Sequence, residues 1–290
     1  MKTSAFFPSW IVVDPLLHQW LLEDIGRGDR TTDGLLAGTS KSGSAVWIAK
    51  EAGMIAGLKI AERVFFLLNN QVNFVTAIAE GAHVTPGEKI AHLQGPLDAL
   101  LTGERLALNL TMHLSGIATA TRRYVNTIAD LPVQLVDTRK TTPGLRILEK
   151  YATTVGGAVN HRIGLDDAIM IKDNHIQAAG GIGPAIARLR QTIPYPLTIE
   201  VETNTLAEVE EALIQEADII MLDNMSVEEM KKAVQVVRQR SKRVKIEASG
   251  NVTLQTLRRI AQTGIDYISS SAPITRSTWL DLSMKLDVHG

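Results

Sequence analysis

The chain has 290 residues, of which 45% are hydrophobic and 21% charged, and its formal net charge is -1. Those values fit one or two globular domains with a sizeable core and exclude a global pull toward nucleic acid or membrane. Cysteine is absent, which excludes disulfides and thiolate metal sites and agrees with a reducing compartment.

The first stretch, MKTSAFFPSWIVVDPLL, is interrupted by Pro8, Asp14 and Pro15. It lacks a basic region followed by a clean apolar run, so no signal peptide is expected. No run reaches the roughly 18 apolar residues of a membrane span. A cytoplasmic protein is the expectation. Asp14-Pro15 ahead of LLHQWLLEDIGRG predicts a helix with Asp14 as N-cap, Pro15 at its first position and Gly26 at its end. GDRTTDG (28–34) reads as a loop, SAVWIAK (44–50) as a strand and LKIAERVFFLL (58–68) as a helix. VNFVTAI (72–78) and EKIAHLQG (88–95) read as strands joined through GAHVTPG. From Pro96 to about Asp130 the pattern is helical, with a break expected near Ser115-Gly116.

Beyond that point short apolar runs alternate with helical stretches. The runs are VQLV (133–136), AIMI (168–171), LTIEV (197–201), DIIML (218–222), VKIEA (244–248) and DYISS (266–270). Helices are predicted over 205–217, 226–240 and 253–264, the second opened by a Ser226/Glu229 capping box and the third closed by Gly264. Alternating strand and helix implies a parallel sheet. Six such units suggest a complete or partly open α/β barrel. A doubly wound sheet would call for a glycine-rich fingerprint after the first strand, and DTRKTTPG (137–144) is not one.

In such a barrel the C-terminal strand ends converge on one face. There the sequence places Asp137, Thr138, Arg139 and Lys140, then Lys172, Asp173, Asn174 and His175, with His161 and Arg162 shortly before. Later strand ends bring Glu202 and Asp223, then Ser249, Gly250 and Asn251, then Ser269, Ser270 and Ser271. Arg139, Lys140, Arg162 and Lys172 suit carboxylates or phosphates. Glu202 and Asp223 suit Mg²⁺ through oxygen ligands. The two serine-rich ends offer donors for a phosphate. The implied ligand is highly anionic, with a phosphate at one end and a metal near its middle. Glu200 is assigned to the side of its strand opposite Glu202 and given a structural role. Glu247 stays open between core and site, and Arg146 and Lys150 between a solvated helix face and the site. A lipoyl-like carrier hairpin in GAHVTPGEKIAHLQG would need a lysine at its tip, and none sits in that turn.

DTRKTTPGLRILEKYA (137–152), GGAVNHRIGLDDAIMIKDNHI (156–176), IEVET (199–203), ADIIMLDNMS (217–226) and IEASGNV (246–252) together resemble the quinolinate phosphoribosyltransferase family. LEDIGRGDRTTDG (22–34) and TGERLALNLTMHLSGIAT (102–119) are similar to its N-terminal part, so the resemblance spans nearly the whole chain. It implies an α/β fold with an N-terminal α/β sandwich domain (1–115), a C-terminal open, TIM-like α/β barrel (116–272) and a last segment (273–290) packed back on the first domain. It also implies formation of nicotinate mononucleotide, CO₂ and pyrophosphate from quinolinate and phosphoribosyl pyrophosphate, with Mg²⁺. The active unit would be a homodimer, with a hexamer left open. By the same resemblance Arg139, His161, Arg162 and Lys172 line the quinolinate pocket beside Thr138 and Lys140, and Arg105 reaches it from a partner subunit. Glu202 and Asp223 would serve the ribose or the metal. Ser249, Gly250, Asn251, Ser269, Ser270 and Ser271 would hold the phosphate. Lys140, Lys172, Glu202 and Asp223 form the expected catalytic set. One departure is visible: Asn251 stands where many members have a second glycine after the serine. A relative acting on a monocarboxylate such as nicotinate is the rival reading, though it would not need so many cations.

Overall fold

The computed structural model describes residues 7–287; the first six residues of the expected domain 1–115 and the last three of the segment 273–290 lie outside them. In chain order the elements are α1 (Trp10–Ile25), α2 (Arg30–Leu36), β1 (Ser42–Ala49), β2 (Gly53–Met54), α3 (Leu58–Leu68), β3 (Asn73–Thr76), β4 (His83–Val84), β5 (Lys89–Pro96), α4 (Leu97–Thr127), β6 (Gln134–Val136) and α5 (Arg146–Gly156). There follow β7 (Ile169–Ile171), α6 (Asp173–Ala179), α7 (Ile182–Thr192), β8 (Ile199–Thr203), α8 (Leu206–Ile214), β9 (Ile219–Asp223), α9 (Val227–Arg240), β10 (Lys245–Ser249), α10 (Leu254–Ala261), β11 (Tyr267–Ser269), α11 (Ala272–Thr275) and β12 (Leu282–Asp287). They fall into two compact units. One takes the chain up to Arg122, then 142–157 and everything from Arg276; the other takes 123–141 and 158–275.

The first unit is built on an antiparallel sheet of order β12-β1-β5-β3. Alternation along β1 buries Ala45, Trp47 and Ala49. Trp47 packs edge-on to Phe65 of α3 and Phe74 of β3, with ring centroids 6.4 and 5.5 Å away. Each such pair contributes about 0.5–1.5 kcal/mol beyond the burial of its area.

Three local expectations are corrected here. Helix α1 starts at Trp10, not after Asp14, and carries Pro15 inside it. Val13, Leu17 and Leu21 are all buried at four-residue spacing, so the apolar stripe already includes the turn before the proline. Asp14 is not a cap; it takes two hydrogen bonds from Arg63, at 2.9 and 2.6 Å. The expected loop 28–34 contains the start of α2, because the Asp29 carboxylate accepts from the N–H groups of Thr31 and Thr32 and caps it. Helix α4 runs unbroken through Ser115-Gly116, where a break was expected.

That dipeptide is a docking point. Ser115 Oγ accepts from the Ala56 N–H at 3.0 Å and donates to the Ala56 carbonyl at 3.2 Å. At Gly116 a Cβ would stand 2.0 Å from the Thr278 carbonyl oxygen, so only glycine admits that backbone.

The second unit is a six-stranded, all-parallel sheet of order β6-β11-β10-β9-β8-β7 with helices alternating along the chain. Among the described residues β6 and β7 are edge strands that do not pair with each other, so the barrel is open. One row of each strand is apolar and buried: Ile199 and Val201, Ile220 and Leu222, Ile246 and Ala248, Ile268. It shares one core with Val209, Met230, Ala233, Val237, Leu257 and Ile260 of the helices. Strands buried on both faces are the rule in such sheets, and here the other row carries the chemistry. The Ser226/Glu229 capping box forms as expected. Helix α10 stops at Ala261, with Gln262 rather than Gly264 as its C-cap.

Gly116→Ala is expected to lower the unfolding free energy by about 3 kcal/mol, the scale of a forced overpacking. A urea titration reads it, and an unchanged midpoint would contradict the close approach.

Candidate active site

A cavity of about 280 Å³ opens at the C-terminal strand ends of the parallel sheet. Its rim is cationic: Arg139 and Lys140 follow β6, Arg162 precedes β7 and Lys172 follows it. Its floor is made by Met170, Met221, His161 and Glu247, and Thr138, Ser249 and Ser269 complete the wall. The structure therefore unites eight of the sequence-predicted residues: Thr138, Arg139, Lys140, His161, Arg162, Lys172, Ser249 and Ser269. Glu202, Asp223, Gly250, Asn251, Ser270, Ser271 and Arg105 are not among its lining residues.

The loop after β6 is held from below. The buried Asp137 carboxylate accepts from Asn160 Nδ2 at 2.6 Å and from the His161 N–H at 2.8 Å. That ties the segment carrying His161 and Arg162 to the loop after β6 that carries Arg139. Arg162 donates to the Ala168 carbonyl at 2.8 Å, while the Arg139 Nε is buried with no hydrogen-bond partner. Burial, and then the neighbouring Arg139 charge, pull the Arg162 pKa below the usual guanidinium range. Two guanidinium groups held together against desolvation and repulsion make a site whose charge an incoming anion relieves. The Lys172 ammonium is ion-paired to Glu202, and its backbone N–H donates to His175 Nδ1 at 3.0 Å at the start of α6.

Below the cations lies a buried carboxylate layer. His161 Nε2 is 3.1 Å from Glu200 Oε2 and 3.6 Å from Glu247 Oε2. Glu200 is thus on the inner side of its strand, with Glu202. The expectation that the two face opposite ways is wrong for a geometric reason: residues two apart on a strand share a face. The same count pairs Met170 with Lys172, Met221 with Asp223 and Glu247 with Ser249. Applied consistently, it would have found Glu200, Glu247 and the two methionines in the sequence. Lys150 is buried on α5 and is no solvated face.

The Glu247 pKa is raised to about 7, first by burial and then by the Glu200 charge, with His161 and a hydrogen bond from Ser269 opposing. The Ser269 hydroxyl is thereby directed to Glu247. Ser270 Oγ accepts from the Ala272 N–H at 3.3 Å. At the ends of β9 and β10, Asn224 Nδ2 donates to Asp223 Oδ2 at 2.8 Å, and Asn251 Nδ2 donates to Asn224 Oδ1 at 3.2 Å. Asn251 adopts φ 49°, a left-handed conformation that asparagine tolerates better than most residues. Gly250 has φ 91°, and a Cβ there would sit 2.1 Å from Asn224 Oδ1, so the two loops interlock through this glycine.

Among the described residues, one group of three or more histidine and carboxylate ligands lies within coordinating range: His161, Glu200 and Glu247. Its hydrogen bonding argues against a metal there. His161 Nδ1 accepts from the Arg162 N–H at 2.7 Å, which leaves the proton of the neutral ring on Nε2, facing the carboxylates as a donor. The donor set that suits Mg²⁺ is the oxygen pair Glu202 and Asp223 on adjacent strand ends, since this ion is commonly held by one or two carboxylates plus substrate oxygens.

Fold and site together define an enzyme class: an open α/β barrel whose strand tips form a cationic pocket for a polyanionic substrate. The comparisons sharpen that. Residues 29–115 match the N-terminal domain and residues 117–285 the C-terminal domain of quinolinate phosphoribosyl transferase. Over 279 residues the chain is 60% identical to a Synechocystis sp. protein named probable nicotinate-nucleotide pyrophosphorylase (carboxylating), covering 96% of this chain and 94% of that one. A Bacillus subtilis protein of the same name is 43% identical over 269 residues, covering 93% and 91%. The crystal structure of NadC from Streptococcus pyogenes superposes with a TM-score of 0.93 at 41% identity, covering 98% of this chain and all of that one. The chain belongs to the quinolinate phosphoribosyltransferase family.

Glu247 also sets a pH signature. In the unfolded chain its carboxyl ionises near the ordinary glutamate value of 4.5, whereas the folded protein keeps the proton to about 7. Between those values the native state binds more protons, so this group's contribution to stability falls as pH rises. Glu247→Gln is expected to gain stability relative to the parent from pH 4.5 to 7 and to hold that gain above. Thermal melts across pH read it; a constant difference between the two proteins would contradict the raised pKa.

Proposed function

We propose that the cavity grips quinolinate by its two carboxylates, between Arg139, Arg162 and Lys172, with His161, Thr138 and Lys140 beside it. The enzyme converts quinolinate and phosphoribosyl pyrophosphate to nicotinate mononucleotide, CO₂ and pyrophosphate, a step in making NAD. The observation that carries the substrate assignment is the buried Arg139 Nε without an acceptor, next to Arg162 in a cavity with two further cations. A dicarboxylate satisfies these donors; a monocarboxylate leaves part of them stranded, at a few kcal/mol.

The reaction follows from the layout. The ring nitrogen attacks C1 of the ribose as pyrophosphate departs. Glu202 and Asp223 face the ribose, where carboxylates stabilise the positive charge that develops. The Asn224 amide orients Asp223, and Lys172 steadies Glu202. Lys140 is exposed at the rim and free to follow the leaving pyrophosphate. Mg²⁺, held by Glu202 and Asp223 with substrate oxygens, would neutralise charge on that leaving group. Backbone N–H groups at Gly250, Asn251 and Ser271, beside Ser249, Ser269 and Ser270, serve the 5′-phosphate, as turns rich in such donors do. Ribosylation makes the ring nitrogen cationic, and the ring then draws electrons from the adjacent carboxylate as CO₂ leaves.

We also propose a homodimer in which Arg105 enters the partner's pocket. Its side chain is 62% exposed and meets Glu104 only at 3.7 Å, so it is available to a second subunit; further assembly to a hexamer is compatible with this. The compartment proposed is the cytoplasm, in keeping with a chain without cysteine; no helix among the described residues is long and apolar enough to cross a membrane.

Steady-state assay with quinolinate against nicotinate, following pyrophosphate, tests the assignment. Quinolinate is expected to be the preferred substrate, and Arg162→Ala to reduce its kcat/KM by roughly 100-fold or more, the loss of one to two charge-assisted hydrogen bonds. Preference for nicotinate would overturn it.

A further inference from the structure

Glu247 is the one carboxyl among the cavity's lining residues, and every other ionisable group there is a cation or His161. The substrate brings two carboxylates into the same space, so an ionised Glu247 would repel it and a neutral one does not. The surroundings favour the neutral form. Glu247 is 3% exposed, and its Oε1 has no hydrogen-bond partner; the Glu200 Oε1 is orphaned in the same way. The Nε2 proton of His161 lies nearer Glu200 than Glu247. One imidazole proton cannot satisfy two buried carboxylates. A second proton, carried by Glu247, completes the set. The groups acting on it come from several elements. Glu200 of β8 and Asp137 after β6 raise its proton affinity; His161 and the Ser269 hydroxyl of β11 lower it. Arg139, Arg162, Lys172 and Lys140 line the same cavity.

The reaction needs such a proton. When the bond from the ring carbon to its carboxylate breaks, CO₂ leaves and the electron pair stays on that carbon, next to the cationic nitrogen. The product carries hydrogen there. We propose that Glu247 is the acid that protonates the ring carbon vacated by CO₂. As the C–C bond breaks, its electron pair takes the Glu247 proton before CO₂ can recombine; a C–H bond forms and Glu247 is left as a carboxylate. His161 Nε2–H then faces that new charge, and water restores the proton once product has gone. The inference rests on the quinolinate assignment and adds to it a proton source.

Glu247→Gln keeps the shape and removes the acid. In a single turnover with carboxyl-labelled quinolinate and phosphoribosyl pyrophosphate, the variant is expected to form pyrophosphate at close to the parent rate. Its CO₂ release should lag by roughly 100-fold or more, the usual scale of general acid catalysis, while quinolinate mononucleotide accumulates on the enzyme. In the parent at saturating quinolinate, CO₂ release should slow as pH rises through the carboxyl's titration, with the pyrophosphate burst unchanged; this readout needs no variant to fold. Glu247→Asp should recover part of the CO₂ rate. If CO₂ keeps pace with pyrophosphate in Glu247→Gln, or both slow together, Glu247 is not the proton source. If the parent itself forms no pyrophosphate from quinolinate, the substrate assignment fails instead.

Discussion

Four cations share one small cavity, and the rest of the second unit is arranged to make that tolerable. Arg139, Arg162, Lys172 and Lys140 repel one another, and the first three are partly buried. Beneath them lie Glu200, Glu202 and Glu247, with Asp137 bracing the loops. Glu202 pairs with Lys172, and Glu200 acts on Arg162 through its charge. Arg139 is left with a bare Nε. The pocket is thus poised for an anion that arrives from solution, and its specificity is the geometry of what remains unpaired.

The parallel sheet makes this arrangement possible. Every strand presents one row to the helices and one to the barrel interior. The helix-facing row is aliphatic and supplies the stability. The inner row is thereby released from packing and carries Met170 and Lys172, Glu200 and Glu202, Met221 and Asp223, Glu247 and Ser249. Buried charge of this kind is destabilising in itself. In the proposed reading the substrate's own charges complete the network, and the raised Glu247 carboxyl supplies an acid.

Much of this is visible in the residues. The alternation of strand and helix from Val133 onward places the strand tips correctly, and those tips hold most of the cavity. What escaped was governed by other physics. The start of α1 depends on tertiary burial of Val13, which no local capping signal encodes. Ser115-Gly116 reads as a helix break from propensity alone, but its small size serves a backbone crossing by Thr278, distant in sequence. Glu200 and Glu247 look like ordinary strand interruptions until the two-residue period is followed across all strands. Their partnership with His161 is a contact between segments some 40 and 85 residues away along the chain, as only the folded barrel brings about.

We propose that the cation cluster around the unpartnered Arg139 Nε is the quinolinate site. A crystal structure of the enzyme with quinolinate tests it most directly. The ring is expected against Met170 and Met221, with its carboxylates within hydrogen-bond distance of Arg139, Arg162 and Lys172, and Glu247 beneath. Quinolinate bound elsewhere, or in this cavity with its carboxylates turned away from those three side chains, would contradict it.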